Sequence, residues 1–463
     1  MDTPPHPEMP LLRRLATLLA RPVSPSDRQR AALHVLDWAG CAVAGAASPA
    51  GRLLAEHAAR IGTGPCAGVG RPGLSASAAA FFNGGVGNVL EMDDIHRTSI
   101  LHPGPVVVPA ALAEAMATGA PPARLLDAVA RGYEAMIRIG ASVGPGHYAL
   151  WHNTSTCGPF GAAAAAAAVL ELDEEATVWA LGNAGAQASG PWRCRHEPVM
   201  TKQLHTARAA QSGLQAAELA ALGFTGPAGM LEGAQGFYAA MCPDPRPEVV
   251  TAEPDGPWRM WDVGFKPWPA CRHAHPTIDA ALALRRRGVA ADAVRSIAVR
   301  TYDDALRFCD RPEPATVIQA KFSLQHSVAV VLLDGPPPLE AFEPPAIARE
   351  DVARLRAATT VAAGEPFVSA YPERYGAAVS VTLANGETLT ETAPDALGDP
   401  ANPVDIDRLT RKARALILSA GHSDTAADRL IETALALPNA GTLADFAAAL
   451  ATPPARPTKD TVQ

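Results

Sequence analysis

The sequence predicts a mainly α protein: a large all-helical domain built from both chain ends, with a smaller α+β domain between them. Three observations carry this expectation. Residues 1–265 read as successive apolar and alanine-rich helical runs separated by caps and turns. Alternation with a period of two is confined to about 266–398, at Val294–Thr301 and in Ala377–Thr392, where Asn385-Gly386 supplies a hairpin turn. Helical spacing returns in 399–463 (DRLTRKARALIL, DRLIETALAL), so the C-terminal helices are expected to rejoin the first domain, ahead of a proline-rich disordered tail after Thr452. With 463 residues, 48% apolar and 19% charged, the chain can build a sizeable core in two domains.

Taken in order, Pro25-Ser26-Asp27 starts a helix whose small-residue run Ala31–Ala47 suits close packing. Asp37, within that run, reads as a capping or paired core carboxylate. Thr63–Leu74 is rich in Gly and Pro and reads as a loop, after which Ser75 caps the next helix. Further helices are expected over Ala123–Gly140, from near Gly158–Gly161 onward, over Glu174–Ser189, and over Ala207–Leu222 with Gly223 closing the last. The hydroxyls of Thr154, Ser155 and Thr156 are placed to cap the alanine-rich helix. Cys242–Pro257 reads as an exposed proline-rich linker, and a helix is expected at Ile278–Arg287.

The stretch that organises the chain is NGGVGNVLEMDDIHRTSILHPGPVVVP, Asn83–Pro109. Glu91, Asp93, Asp94, His96, Arg97 and His102 fall between two apolar segments. Such a polar island is costly to bury unless its members pair with each other or with a ligand. His102-Pro103-Gly104 fixes a turn, and a rigid turn holding an imidazole near carboxylates suits proton transfer. A solvated loop between helices is the alternative. His152 precedes a helix start, where partial positive charge favours an anion; a hydrogen-bonded surface histidine would look the same.

Net charge is −8 with no Lys/Arg block, which argues against nucleic acid or an anionic membrane as a partner. The longest apolar run, Ala162–Leu170, is far short of the ~20 residues of a membrane span. The N-terminal MDTPPHPEMP lacks the order of a signal peptide, and seven scattered cysteines without a Cys-x-x-Cys pair suit reduced thiols, so a cytoplasmic protein is expected. Neither a nucleotide-binding glycine loop nor a closed metal set is legible, so no cofactor and no metal are expected.

Only five of the 39 basic residues are lysines, at 202, 266, 321, 412 and 459. A chain so biased keeps lysine where the planar, permanently charged fork of arginine will not serve. Lys412 and Lys459 read as a solvated helix face and a tail. Lys202, Lys266 and Arg272 offer positive charge, and His102, His152 and His275 are of the residue type that can titrate near neutrality. With Asp93 and Asp94 they fit a site for a small polyanion undergoing acid–base chemistry. Lys321 and Ser323 open AKFSLQHSV.

Five segments, MDDIHRTSILHPG, WHNTSTCGPFGAAAAA, TKQLHTARAAQSG, FKPWPACRHAHPTIDA and AKFSLQHSV, together resemble the MmgE/PrpD family, in its order and over roughly residues 10–450. That family includes 2-methylcitrate dehydratase, cis-aconitate decarboxylase and iminodisuccinate epimerase. The resemblance implies that the α+β part is a lid domain, that the protein is a homodimer, and that it acts on a small di- or tricarboxylate without a metal. It matches Asp93, Asp94, His102, His152, Lys202 and Lys266 to residues lining the family's sites. Catalytic roles are expected for Asp93, His102, His152 and Lys202. Substrate binding is expected for Asp94, Lys266, Arg272, His275, Lys321 and Ser323. Glu91 stands where relatives commonly have Asp, Ile95 where the decarboxylases have Thr, and Cys271 where they have His. His326 stands where some members have an aromatic, and its role is open. These departures point away from decarboxylation and toward a dehydratase-like hydro-lyase, with an epimerase, then a decarboxylase, then a non-catalytic carboxylate-binding protein as alternatives.

Overall fold

The structure, a computed structural model, describes residues 9–197 and 199–455. Lys459 and the end of the tail lie outside the described residues, as does most of the N-terminal proline-rich segment. The fold is mainly helical with small sheets and divides into two compact units. One is formed by residues up to Val263 and from Ile406 on, the other by Gly264–Asp405.

In the first unit the helices begin where side-chain caps allow. Ser24 and Asp27 form a reciprocal capping box ahead of Pro25–Ala46, with Asp27 N donating to Ser24 Oγ at 3.2 Å and Ser24 N to Asp27 Oδ2 at 3.0 Å. Ser75 caps Ala76–Gly87 and Asp173 caps Glu174–Gly185. The centre of the unit is Asn153–Val169, packed against Pro122–Ser142 and Thr201–Ala221. This central helix starts earlier than its sequence suggests. Thr154–Thr156 lie within its first turns rather than capping it, and Pro159 is carried inside. Thr201–Ala221 likewise begins before Lys202.

Two further readings are corrected here, and a third is qualified. The helical unit is not all-helical, because Thr63–Gly68 and Arg71–Leu74 form a bulged antiparallel ribbon where Gly and Pro suggested a loop. Cys242–Pro257 is largely exposed, as expected, but it is held to the helical unit. Arg138, buried and paired with Glu134 at 2.7 Å, donates to the carbonyls of Val250 and Glu253 at 3.2 Å each, and Arg21 holds those of Pro254 and Gly256 at 2.9 and 2.6 Å. A proline-rich strap lacks N–H groups but keeps its carbonyls, and arginine forks satisfy them. Finally, Lys412 is buried rather than solvated.

The C-terminal helix Ile406–Ser419 packs on Pro25–Ala46. Gly40 makes this possible, since a Cβ there would stand 2.9 Å from Ala413 Cα. That close approach brings the adjacent Lys412 onto Asp37.

The second unit holds a four-stranded sheet in the order Thr359–Ala363, Val294–Thr301, Ala377–Leu383, Thr388–Ala393. The hairpin is antiparallel, with Gly386 at φ 88° in its turn, and Thr359–Ala363 adds a parallel edge that the sequence reading did not contain. Helices His275–Arg286 and Leu324–Asp334 supply the apolar layer against it. No single helix among the described residues is long and apolar enough to cross a membrane.

Candidate active site

The polar island is the loop between Ala76–Gly87 and Gly104–Thr118, and it is buried, which removes the solvated-loop alternative. Its two aspartates have separate tasks. Asp94 accepts from Tyr133 Oη at 2.6 Å, from His34 Nδ1 at 2.7 Å and from the Gly104 N–H at 2.8 Å. Gly104 is required by closeness rather than by a positive φ, because a Cβ there would lie 2.6 Å from Asp94 Oδ1. Both carboxylate oxygens of Asp94 are thus consumed internally. These contacts anchor the loop to the helix start.

Asp93 faces His102. Its Oδ2 takes Asn88 Nδ2 at 2.7 Å and stands 2.9 Å from His102 Nδ1. The same ring nitrogen is 2.9 Å from the Asp94 carbonyl, and the His102 N–H donates to Thr154 Oγ1 at 3.0 Å. With two acceptors at Nδ1, the proton sits there and Nε2 carries the lone pair. Nε2 has no hydrogen-bond partner among the described residues.

His152 is at the N-cap of Asn153–Val169, its ring tilted over Trp192 with centroids 4.3 Å apart and its Nδ1 3.2 Å from His205 Nδ1. Burial holds His152 well below the ordinary histidine range, reinforced by Lys202, His205 and His102. Burial and Lys202 push His205 down to about 4. Two neutral rings meeting through Nδ1 share one proton, so His152 offers a hydrogen bond rather than a charge. Its buried setting answers the surface-histidine alternative. Lys202, on the first turn of its helix, pairs with Glu91 Oε1, and Glu91 is buried at φ 59°. The loop bends through a left-handed residue to reach the lysine, at a cost a non-glycine residue normally avoids.

The second unit brings together a different set. Lys266 and Lys321 are buried, and the Lys321 carbonyl accepts the Cys271 N–H at 2.9 Å. Arg272 pairs with Asp399, reaches the carbonyls of Leu397 and Ala396 at 3.1 and 3.4 Å, and stands 3.2 Å from His275 Nδ1. His275 Nε2 donates to the Ala270 carbonyl at 3.1 Å. These contacts tie the segment Ala396–Asp399 in place. Ser323 accepts His326 N at 3.0 Å as the cap of Leu324–Asp334 and donates to the Arg311 carbonyl at 2.6 Å. Ser323→Ala is expected to lower stability by about 1 kcal/mol, read from denaturant midpoints at unchanged slope, and to leave KM intact. His326 is held by the Ala341 carbonyl at 2.8 Å and sits beside Phe342. Burial, with Cys271 beside it, pushes the Cys309 thiol well above its ordinary range.

Reading the sequence missed Glu91 as partner of Lys202, His205 behind His152, and Lys412 beneath the loop. The His205 signal was available: it lies three residues after Lys202, on the same helix face.

A buried imidazole backed by a carboxylate, with a lysine paired to the same loop, is an arrangement able to carry proton transfer. Models of the MmgE/PrpD N-terminal and C-terminal domains match residues 13–250 and 268–437, and the chain belongs to the MmgE/PrpD family. It is 29% identical to cis-aconitate decarboxylase of Homo sapiens over 362 residues, covering 74% of this chain and 73% of that protein. The Mus musculus decarboxylase is 29% identical over 376 residues, covering 75% and 73%. The cis-aconitate decarboxylase-like protein oryM of Aspergillus oryzae is 27% identical over 428 residues, covering 85% and 87%. These relatives support an enzyme of the lyase class.

Proposed function

We propose that this protein is a lyase that removes a proton from the carbon next to a carboxylate of a small di- or tricarboxylate and then expels a hydroxyl group. The observation that carries the reading is His102, with Nδ1 directed at Asp93 and the Asp94 carbonyl and Nε2 left to accept a proton. A hydrogen next to a carboxylate is weakly acidic, so its removal requires preorganised positive charge where the aci-carboxylate forms. Lys202 supplies that charge, and its pairing with Glu91 holds the ammonium in place. The neutral His152 donates a hydrogen bond to the same developing charge. The imidazolium formed at His102 then gives its proton to the leaving hydroxyl, so that C–H and C–OH become C=C and water.

Decarboxylation is the second reading, favoured by the names of the relatives. Ile95 and Cys271, standing where the decarboxylases have threonine and histidine, favour dehydration.

The test is proton NMR in deuterium oxide with citrate, 2-methylcitrate, cis-aconitate and iminodisuccinate. Deuterium incorporation next to a carboxylate, with an alkene formed from a hydroxy acid, is expected. Carbon dioxide release from cis-aconitate would transfer the assignment to decarboxylation, and binding without exchange would replace the enzyme by a binding protein. Among the described residues no group of three His, Cys, Asp or Glu is placed to hold a metal ion. Exchange is therefore expected to survive dialysis against a strong chelator; loss restored by one added metal would overturn that expectation.

A further inference from the structure

Lys412 lies in none of the five motif segments, yet it ends beneath the reactive loop. Its Nζ donates to Asp37 Oδ1 at 2.6 Å and to the Met92 carbonyl at 2.5 Å, and both side chains of the pair are buried, 6% and 1% exposed. Met92 is the residue before Asp93. The ammonium therefore grips the peptide group that leads into the carboxylate behind His102.

Arg30 and Lys412 both act on the carboxylates of this region, and Lys412 donates directly to Asp37. Asp37, Asp93 and Asp94 are all buried within one electrostatic neighbourhood. Asp94 has His34 and Tyr133 as donors. Asp37 Oδ2 has no hydrogen-bond partner among the described residues, so its stabilisation comes through Oδ1 and Lys412. Burial pushes the Asp37 carboxyl up to about 6, against the pull of Lys412, with Asp94 and Asp93 adding to the rise. Burial works against the Lys412 ammonium too, but Asp37, Cys41 and Asp93 together keep it above its ordinary range.

The shape of the contact suits lysine. Helix Ile406–Ser419 meets Pro25–Ala46 at Gly40 with no room for a side chain, and a compact ammonium fits where a wide planar fork would have to spread the helices.

We propose that Lys412 is a positioning residue for the proton transfer: by neutralising Asp37 and holding the Met92 carbonyl, it fixes Asp93 behind His102. This rests on the acid–base reading of His102, and the experiment separates the two. Lys412→Met and the double variant Asp37→Asn/Lys412→Met are compared with wild type. Hydrogen exchange by mass spectrometry over Leu90–Gly104 reports the loop without any substrate. Protection there is expected to fall in Lys412→Met. Unchanged protection in that segment overturns the proposal, whether or not the protein turns over any acid.

Where wild type exchanges deuterium into an acid, kcat is expected to fall by on the order of tenfold or more in both variants, with KM within about threefold. The groups facing this region are Arg30, His34, Asp37 and Cys41 from Pro25–Ala46, Asp93 and Asp94 from the loop, Tyr133 from Pro122–Ser142, His152, and Lys202 and His205 from Thr201–Ala221. All of them are retained in Lys412→Met.

The double variant removes the stranded carboxylate together with its partner, and so guards against a single variant that fails to fold. A folded double variant with wild-type kcat would reduce Lys412 to a structural ion pair and overturn the proposal. Absence of exchange by wild type with all four acids would count against the functional reading alone.

Discussion

His102→Gln is expected to lower kcat for deuterium incorporation by about 10³-fold, with KM within about threefold, the size usual for loss of a positioned general base. Glutamine can keep a hydrogen bond toward Asp93 but cannot take up and return a proton at this site. The argument rests on which ring nitrogen is available: Nδ1 is committed to Asp93 Oδ2 and the Asp94 carbonyl, both at 2.9 Å. Asp93→Asn tests the same geometry from behind. Its amide can donate to Nδ1 and so favour the tautomer with the proton on Nε2, and an intermediate loss of about 10²-fold is expected. His152→Gln should cost less than His102→Gln, because a neutral ring held well below the ordinary histidine range by burial contributes a hydrogen bond. The reverse ranking, with His102→Gln near wild type and His152→Gln inactive, would move the base to His152 and overturn the tautomer argument.

Much of this site was legible because burying charge is expensive. A cluster of carboxylates and imidazoles between two apolar segments had to be paired or functional, and Asp93 is paired with His102. What the pattern could not say was which charges are used up. Asp94, Arg272 and Ser323, expected as binding groups, have partners from elsewhere in the chain: Tyr133 and His34 for Asp94, the Ala396–Asp399 segment for Arg272, the Arg311 carbonyl for Ser323.

Lys412 failed for a related reason. The helix DRLTRKARALIL has an amphipathic rhythm that places lysine among polar residues, and the aspartate that draws it inward is 375 positions away. The principle that this chain keeps lysine only where arginine will not serve applied to Lys412 after all. In the fold, long periodic helices and the Ala377–Ala393 hairpin were readable. The ribbon Thr63–Leu74 and the edge strand Thr359–Ala363 were not, since short strands lean on neighbours more than on their own composition.

Lys202→Arg is expected to lower kcat and kcat/KM together, by on the order of 10²-fold, the range found when a preorganised charge-stabilising group is removed. The ammonium is fixed by Glu91 Oε1, at the first turn of Thr201–Ala221 and with a fifth of the side chain exposed (20%). Arginine brings a wider planar group that would pair with Glu91 through two nitrogens and turn its charge along the carboxylate, away from the point a developing aci-carboxylate occupies. A contribution made mainly in the transition state appears in kcat and kcat/KM alike, whereas loss of ground-state binding alone would raise KM at constant kcat. The buried Lys412 cannot serve as the neutral comparison. Arg429→Lys can: Arg429 is 58% exposed and meets Asp445 at 3.2 Å on the surface, so the change should alter stability by no more than about 0.5 kcal/mol and leave the kinetics unchanged. Measured side by side with the acid that exchanges fastest, matching near-native kinetics for Lys202→Arg and Arg429→Lys would remove Lys202 from the site. It would also remove the case that an arginine-rich chain marks its reactive positions with lysine.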